Sequence, residues 1–254
     1  MSRMYGVVSG KVTDVQDPDG QGRVRVQYPW LGGESDGYWA PVATLMAGAN
    51  RGSWFMPEIG DDVLVAFDQG DVTHPYIVGF MWNGQDTPPS SDIDTKVRRL
   101  KTVSGHTLDF DDRSGKEKIR LKTQGGHEIE LTDAPTPSVT IRTSGGHNIE
   151  MKDTPTPTVL VKTSGGQQIT LDDLPPSVSV QTTAGQQVTL SDAPPSITIS
   201  APAGMLNITC LQATITASAL LNVLAPIAQF AGVVQASAIV AAAYTPAPGN
   251  TFGL

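Results

Sequence analysis

Between Gly105 and Ser200, apolar and polar residues alternate in short runs punctuated by glycine and proline. His127, Ile129 and Leu131 share one parity, while Glu128 and Glu130 take the other. The same holds for His147, Ile149 and Met151, for Gln167, Ile169 and Leu171, and for Gln186, Val188 and Leu190. A period of two sends alternate side chains to opposite faces, so each run predicts a strand with one apolar and one polar face. The glycines before these runs are Gly105, Gly126, Gly146, Gly166, Gly185 and Gly204, at steps of 21, 20, 20, 19 and 19 residues. Such a period signals stacked units. Each unit holds two runs, for example "HNIEM" (147–151) and "TVLV" (158–161). Between them lie "KDTPTP", "APTP", "LPP" or "APP". Proline cannot donate to a ladder, so these segments are corners. The other corner, "TSGG", carries a glycine that permits positive φ. Each unit therefore reads strand, proline corner, strand, glycine corner.

A strand pair with one apolar stripe cannot bury that stripe alone. Two arrangements remain: one chain coils into a solenoid, or three chains wrap a common axis. The apolar parity also carries one polar residue per unit, in the order His106, His127, His147, Gln167, Gln186. The histidines are a candidate axial metal site. A hydrogen-bonded polar layer is the better fit, because glutamine takes over the position in the later units and an inward polar group needs a partner.

Residues 5–88 predict five further strands, near "YGVVSGKVTDV", "GRVRVQY", "YWAPVAT", "DDVLVAFD" and "HPYIVGFM". The turn "DPDGQG" separates the first two. Five short strands in that span suggest a small barrel such as an OB-fold. "VLVAF" (63–67) is apolar on both parities, which predicts cover on both sides.

Composition narrows the function. The chain of 254 residues is only 39% hydrophobic and 6% aromatic, with 26 glycines and 19 prolines, which suits short strands and tight turns. A net charge of −8 argues against a nucleic-acid partner. Arg23 and Arg25 are outnumbered by acids in the barrel region, so nucleic-acid binding by an OB-fold surface is not expected. One cysteine, Cys210, excludes an intrachain disulfide. The opening "MSRMYGVVSG" lacks the apolar run of a signal peptide, which predicts synthesis in the cytoplasm. The last 62 residues, after Asp192, hold no charged side chain. That is no ordinary solvated surface. Pro226, Gln229, Gly232, Gln235 and Ser237 interrupt any membrane-spanning run, so the tail reads as strands of a narrowing shaft.

Catalytic patterns are lacking. His74, in "DVTHPY", reads as a surface histidine at a turn. Asp61 with Asp62, Asp111 with Asp112 and Asp172 with Asp173 are neighbours, and neighbours on a strand point to opposite faces. No nucleophile elbow, P-loop, zinc spacing or calcium nonapeptide occurs. The basic run "TKVRRLKT" (95–102) reads as a collar offsetting the acidic barrel rather than as a nucleic-acid or lipid contact. A β-helical carbohydrate-binding or carbohydrate-cleaving protein is the alternative from another class. Residues 95–243 contain only Phe110 and Phe230 as aromatics, which leaves little for sugar stacking.

"GQGRVRVQYPW" (20–30), "GYWAPVATLMAGANRGSWFMPEIGDDVLVAFDQGDVTHPYIVGFMWNGQDTPP" (37–89) and the glycine-punctuated repeats resemble the central spike of contractile injection machines. This is the baseplate protein V family of contractile phages, with the equivalent part of the type VI secretion spike VgrG. The resemblance implies an all-β fold: an N-terminal OB-fold barrel followed by a C-terminal intertwined trimeric β-helix shaft. The implied divisions are 1–88 for the barrel, 89–103 for a linker or collar, 104–216 for the repeats and 217–254 for an uncharged tip segment. It also implies a structural, non-enzymatic spike without cofactors that caps an inner tube and punctures an envelope. The implied partners are two more copies of the chain, a hub protein and inner tube at the barrel, a PAAR-type protein at the tip, and transiently the target membrane. Tyr244, Pro246, Pro248, Phe252 and Leu254 would carry the tip contact. Gln85 to Thr102 leave no room for a lysozyme domain, and no His-x-His apex motif follows His147. Without a fused hub module, the resemblance predicts a separate hub.

Overall fold

The computed structural model describes residues 3–30, 37–89, 94–238 and 240. Among the described residues every regular element is a strand. The first body is a barrel of β1 (Val7–Asp14), β2 (Arg23–Gln27), β3 (Tyr38–Pro41), β6 (Asp62–Asp68) and β7 (Asp71–Met81). A small hairpin, β4 (Ala47–Gly48) with β5 (Arg51–Gly52), is inserted between β3 and β6. The sheet order is β3-β2-β1-β6-β7. A parallel bridge between Val42 and Ile77, and a bond from Ala43 N to Ile77 O at 2.8 Å, close the two ends on each other. Closure of this kind defines a five-stranded OB-fold barrel.

Alternation sets the barrel core. Val12, Val24, Val26, Val63, Val65 and Ile77 are fully buried. Gly10 is glycine for a packing reason, because a Cβ there would lie 2.4 Å from Val26 Cγ1. The expectation that 63–67 is covered on both sides needs correction. Val63, Val65 and Phe67 are buried, but Leu64 and Ala66, on the outer face, are only half-buried.

The β1–β2 turn is organised by one carboxylate. Asp17 accepts hydrogen bonds from the backbone N–H of Asp19 (3.1 Å), Gln21 (2.9 Å) and Arg23 (3.1 Å). The Arg23 guanidinium closes on it at 2.7 Å. That side-chain bond, more than the backbone donors, holds the Asp17 carboxyl far below the usual carboxylate range.

The second part of the same unit is a ribbon of eleven strands, paired in strict chain order. They are β8 (Val97–Lys101), β9 (Thr107–Asp111), β10 (Lys118–Lys122), β11 (Glu128–Thr132), β12 (Ser138–Arg142) and β13 (Asn148–Lys152). Then follow β14 (Thr158–Lys162), β15 (Gln168–Asp173), β16 (Pro176–Gln181), β17 (Gln187–Asp192) and β18 (Pro195–Ser200). Each pairs antiparallel with the next. The coil of a single-chain solenoid is thus not formed; the chain folds back on itself at every corner. The proline corners hold cis bonds at Pro135, Pro155, Pro175 and Pro194. The glycine corners place Gly105, Gly126, Gly146, Gly166 and Gly185 at φ between 87° and 93°, where a side chain would be strained.

Met205–Leu254 forms a second compact unit. Its described residues, 205–238 and 240, hold no strand and are exposed. The further strands expected beyond Ser200 and in the tail are therefore absent from the described residues of the single chain. The reason is local. No glycine stands between Gly204 and Gly232 and no proline between Pro202 and Pro226, so the chain has no corner at which to pair with itself. Among the described residues no helix is long and apolar enough to cross a membrane.

Candidate functional site

The ribbon's register lines up its side chains in columns. One runs Leu100, Leu108, Leu121, Ile129, Ile141, Ile149 and continues through Val161, Ile169, Val180 and Val188 to Ile199. Its neighbour on the same face begins at Arg98 and continues through Phe110, Ile119, Leu131, Val139 and Met151 to Ile197. Arg98 is the single interruption; the other twenty-one positions of the two columns are apolar. No described part of the chain covers them. Ile129 is 39% exposed and Leu190 47%. A continuous apolar face of this length is what soluble monomers avoid.

The opposite face is polar and, near the barrel, ionic. Arg99 grips Asp109 through Nε (2.6 Å) and Nη2 (3.0 Å), and Arg120 reaches the same carboxylate at 2.8 Å. Burial pushes the Asp109 carboxyl up, but the two arginines together hold it below its ordinary value. Arg113 holds the Asp111 carboxyl at about 2. Lys118 with Glu130 (3.1 Å), Arg142 with Glu128 (3.2 Å) and Lys152 with Glu150 (3.1 Å) continue the pattern. Further along, the middle column turns uncharged, passing Leu160 and then Thr170, Ser179, Thr189 and Thr198. The basic run at the neck is partly absorbed by aspartates, Arg99 by Asp109 on this face and Arg98 by Asp112 at 2.5 Å on the other. Asp111 and Asp112 serve opposite faces, each with its own arginine.

The three histidines do not meet within the chain. Each sits at a glycine corner and ties that corner to the next one. His106 Nδ1 accepts from Gln124 N at 3.2 Å, His127 Nδ1 from Ser144 N at 3.4 Å and His147 Nδ1 from Ser164 N at 3.3 Å. An accepting Nδ1 places the proton of a neutral ring on Nε2. Within each corner, Thr102, Thr123 and Thr143 Oγ1 accept from the backbone N–H of His106, His127 and His147 at 3.0–3.1 Å. Gln167 and Gln186 bond instead to Thr163 and Thr182 of their own corners. Among the described residues no cluster of three metal-ligating side chains occurs. His74 is exposed at the start of β7, beside Asp71 and Thr73. The tip residues Tyr244, Pro246, Pro248, Phe252 and Leu254 lie outside the described residues.

Sequence reasoning passed over one surface, the outside of the barrel. Leu45, Met46, Trp54, Phe55, Phe80 and Trp82 are all exposed. A groove of about 890 Å3 runs along the β4–β5 hairpin between Trp54, Phe55 and Phe80. A second groove, of about 580 Å3, lies between Trp54, Trp82 and the neck residues Leu100 and Val103. The signal was present in "LMAGANRGSWFMPEIG", a loop too rich in large apolar residues for solvent.

The model of the type VI secretion system/phage-baseplate injector OB domain matches residues 8–82, the barrel just described. The actin cross-linking toxin VgrG1 of Vibrio cholerae is 33% identical over 116 residues, 42% of this chain and 11% of the relative. The type VI secretion system spike protein VgrG1a of Pseudomonas aeruginosa is 37% identical over 119 residues, 42% of this chain and 18% of the relative. VgrG1c of the same species is 29% identical over 126 residues, 44% of this chain and 17% of the relative. The chain thus spans less than a fifth of the length of these curated relatives. Its barrel is thus similar to the injector OB domain, and the chain is similar over less than half of its length to VgrG spike proteins of type VI secretion systems.

Proposed function

We propose that the chain is the central spike of a contractile injection particle, a homotrimer whose three ribbons close their apolar faces on one axis. The observation that carries this reading is the uncovered double column of the ribbon. Burying the exposed remainder of each side chain is worth on the order of 1 kcal/mol. Summed over twenty-one positions per chain, that outweighs an association cost of roughly 4–15 kcal/mol. The tail supports the same reading, since residues 205–225 hold no corner for self-pairing and strand formation there needs other copies. A monomeric carbohydrate-active β-helix would leave the whole face wet.

In this role the barrel meets a baseplate hub and the end of the inner tube, and the neutral distal end meets a PAAR-type cap before contacting the target membrane. The chain is made in the cytoplasm and becomes part of the assembled particle. The rigid antiparallel ladder transmits thrust, and no chemistry is required of it. The cap contact is tested by truncation. A chain ending after residue 243 is expected to assemble as a trimer but to lose a co-expressed PAAR-type cap and the capacity to injure target cells. Full retention of the cap by the truncated trimer would place the contact elsewhere.

A further inference from the structure

We infer that the groove between barrel and neck is the seat of the neck strand of a second copy, Val97–Val103, so that the trimer interface continues from the shaft onto the barrel. The inference rests on the trimeric reading and adds a specific occupant. Of the two apolar grooves described above, the second is shared with the ribbon. Its floor is apolar, with Trp54 (74% exposed) and Trp82 (69%) beside Leu100 and Val103. Leu100 is also the first residue of the apolar columns. The floor of the groove is therefore continuous with the face that the other copies cover.

Charge selects the occupant. Asp61, Asp62 and Asp86 line the same groove, against the single cation Lys101 among its described lining residues. A partner segment must therefore be apolar with basic side chains. The neck strand fits this on one face. Arg98 and Leu100 share parity on β8, and their face is the one bearing the apolar columns, because they stand opposite Phe110 and Leu108. Arg98 is the one charge in those columns, and its side chain is 66% exposed despite the pair with Asp112. A cation at the top of an otherwise apolar seam is costly to cover unless acids surround it on both sides of the interface. The three aspartates of the adjacent copy supply the second side. The arrangement also fixes axial register, since a slip of one layer would bring Arg98 against Phe110 or Ile119 of a neighbour.

The test uses the full-length chain with Trp82→p-benzoylphenylalanine, prepared as a mixture of isotopically light and heavy copies and irradiated. Light–heavy adducts joining position 82 to a peptide within residues 96–103 are expected. A particle of trimeric mass that gives adducts only within one copy, to another region, or not at all overturns the inference and leaves the trimeric reading standing. A monomeric mass overturns both. A charge swap gives an independent arm. Arg98→Asp is expected to speed dissociation of the trimer about tenfold, and Asp86→Arg in the same chain to restore most of the loss. Equal dissociation in all three proteins would also overturn it.

Discussion

At the scale of single residues, side chains fix corners and turns. Asp17 shows how. Its carboxylate gathers three backbone donors and one guanidinium, and its pKa is depressed by them. A carboxyl whose folded pKa lies below its ordinary 3.8 contributes stability above that value and loses it as pH falls towards the folded value. Asp111, held at about 2, behaves in the same direction. The thermal midpoint of the barrel, where Asp17 lies, is therefore expected to fall as pH drops below about 4. In Asp17→Asn the midpoint should be lower at neutral pH and its fall with acid shallower. A parallel fall in both proteins, followed by calorimetry, would show that Asp17 is not a source of acid lability. The histidines are a second case. His127→Gln exchanges a bond between corners for one within a corner, the pattern already used at Gln167. A loss of about 1 kcal/mol per chain is expected, with assembly intact. Stoichiometric metal in the purified protein, together with a midpoint lowered by chelation, would instead make the histidines ligands.

At the scale of the strand, parity decides which substitutions are tolerated. Ile149 lies in the apolar columns, and Glu150 next to it lies on the ionic face with Lys152. Ile149→Glu would leave an unpaired carboxylate in the closed axis, at a cost of roughly 3–5 kcal/mol per chain. The ribbon should fail to assemble while the barrel, whose core is separate, still folds. Glu150→Thr reproduces what the distal strands carry, as at Thr170, and should assemble normally. Gel filtration with circular dichroism separates the two, and equal behaviour would refute the assignment of faces. Much of this scale was legible in the sequence, because a two-residue period between glycine and proline corners leaves one solution for each strand. Pairing partners were less legible. That His127 reaches Ser144 depends on how adjacent corners stack, and no local pattern encodes that distance. The half-buried Leu64 and Ala66 were misread because apolar residues on both parities suggest two covers, whereas the barrel supplies one. The exposed Trp54 and Trp82 were missed because an aromatic-rich loop can be buried or displayed with the same letters.

At the scale of the whole molecule, one physical fact organises the rest: among the described residues nothing covers the apolar face of the ribbon. The barrel has a closed core and matches the injector OB domain over residues 8–82. The ribbon has two ordered faces and, among the described residues, no cover for one of them. Ion pairs stiffen the polar face near the barrel, and uncharged Thr, Ser and Gln replace them towards the distal end. That gradient suits the proposed spike, whose barrel end stays in water and whose distal end leads. The oligomeric state tests this account most directly. Light scattering on the full-length protein, at neutral pH and across a wide concentration range, should give three times the chain mass of 26.8 kDa, with no dissociation on dilution. A stable, soluble monomer would contradict it, because the twenty-one apolar positions would then stand in water with nothing to cover them.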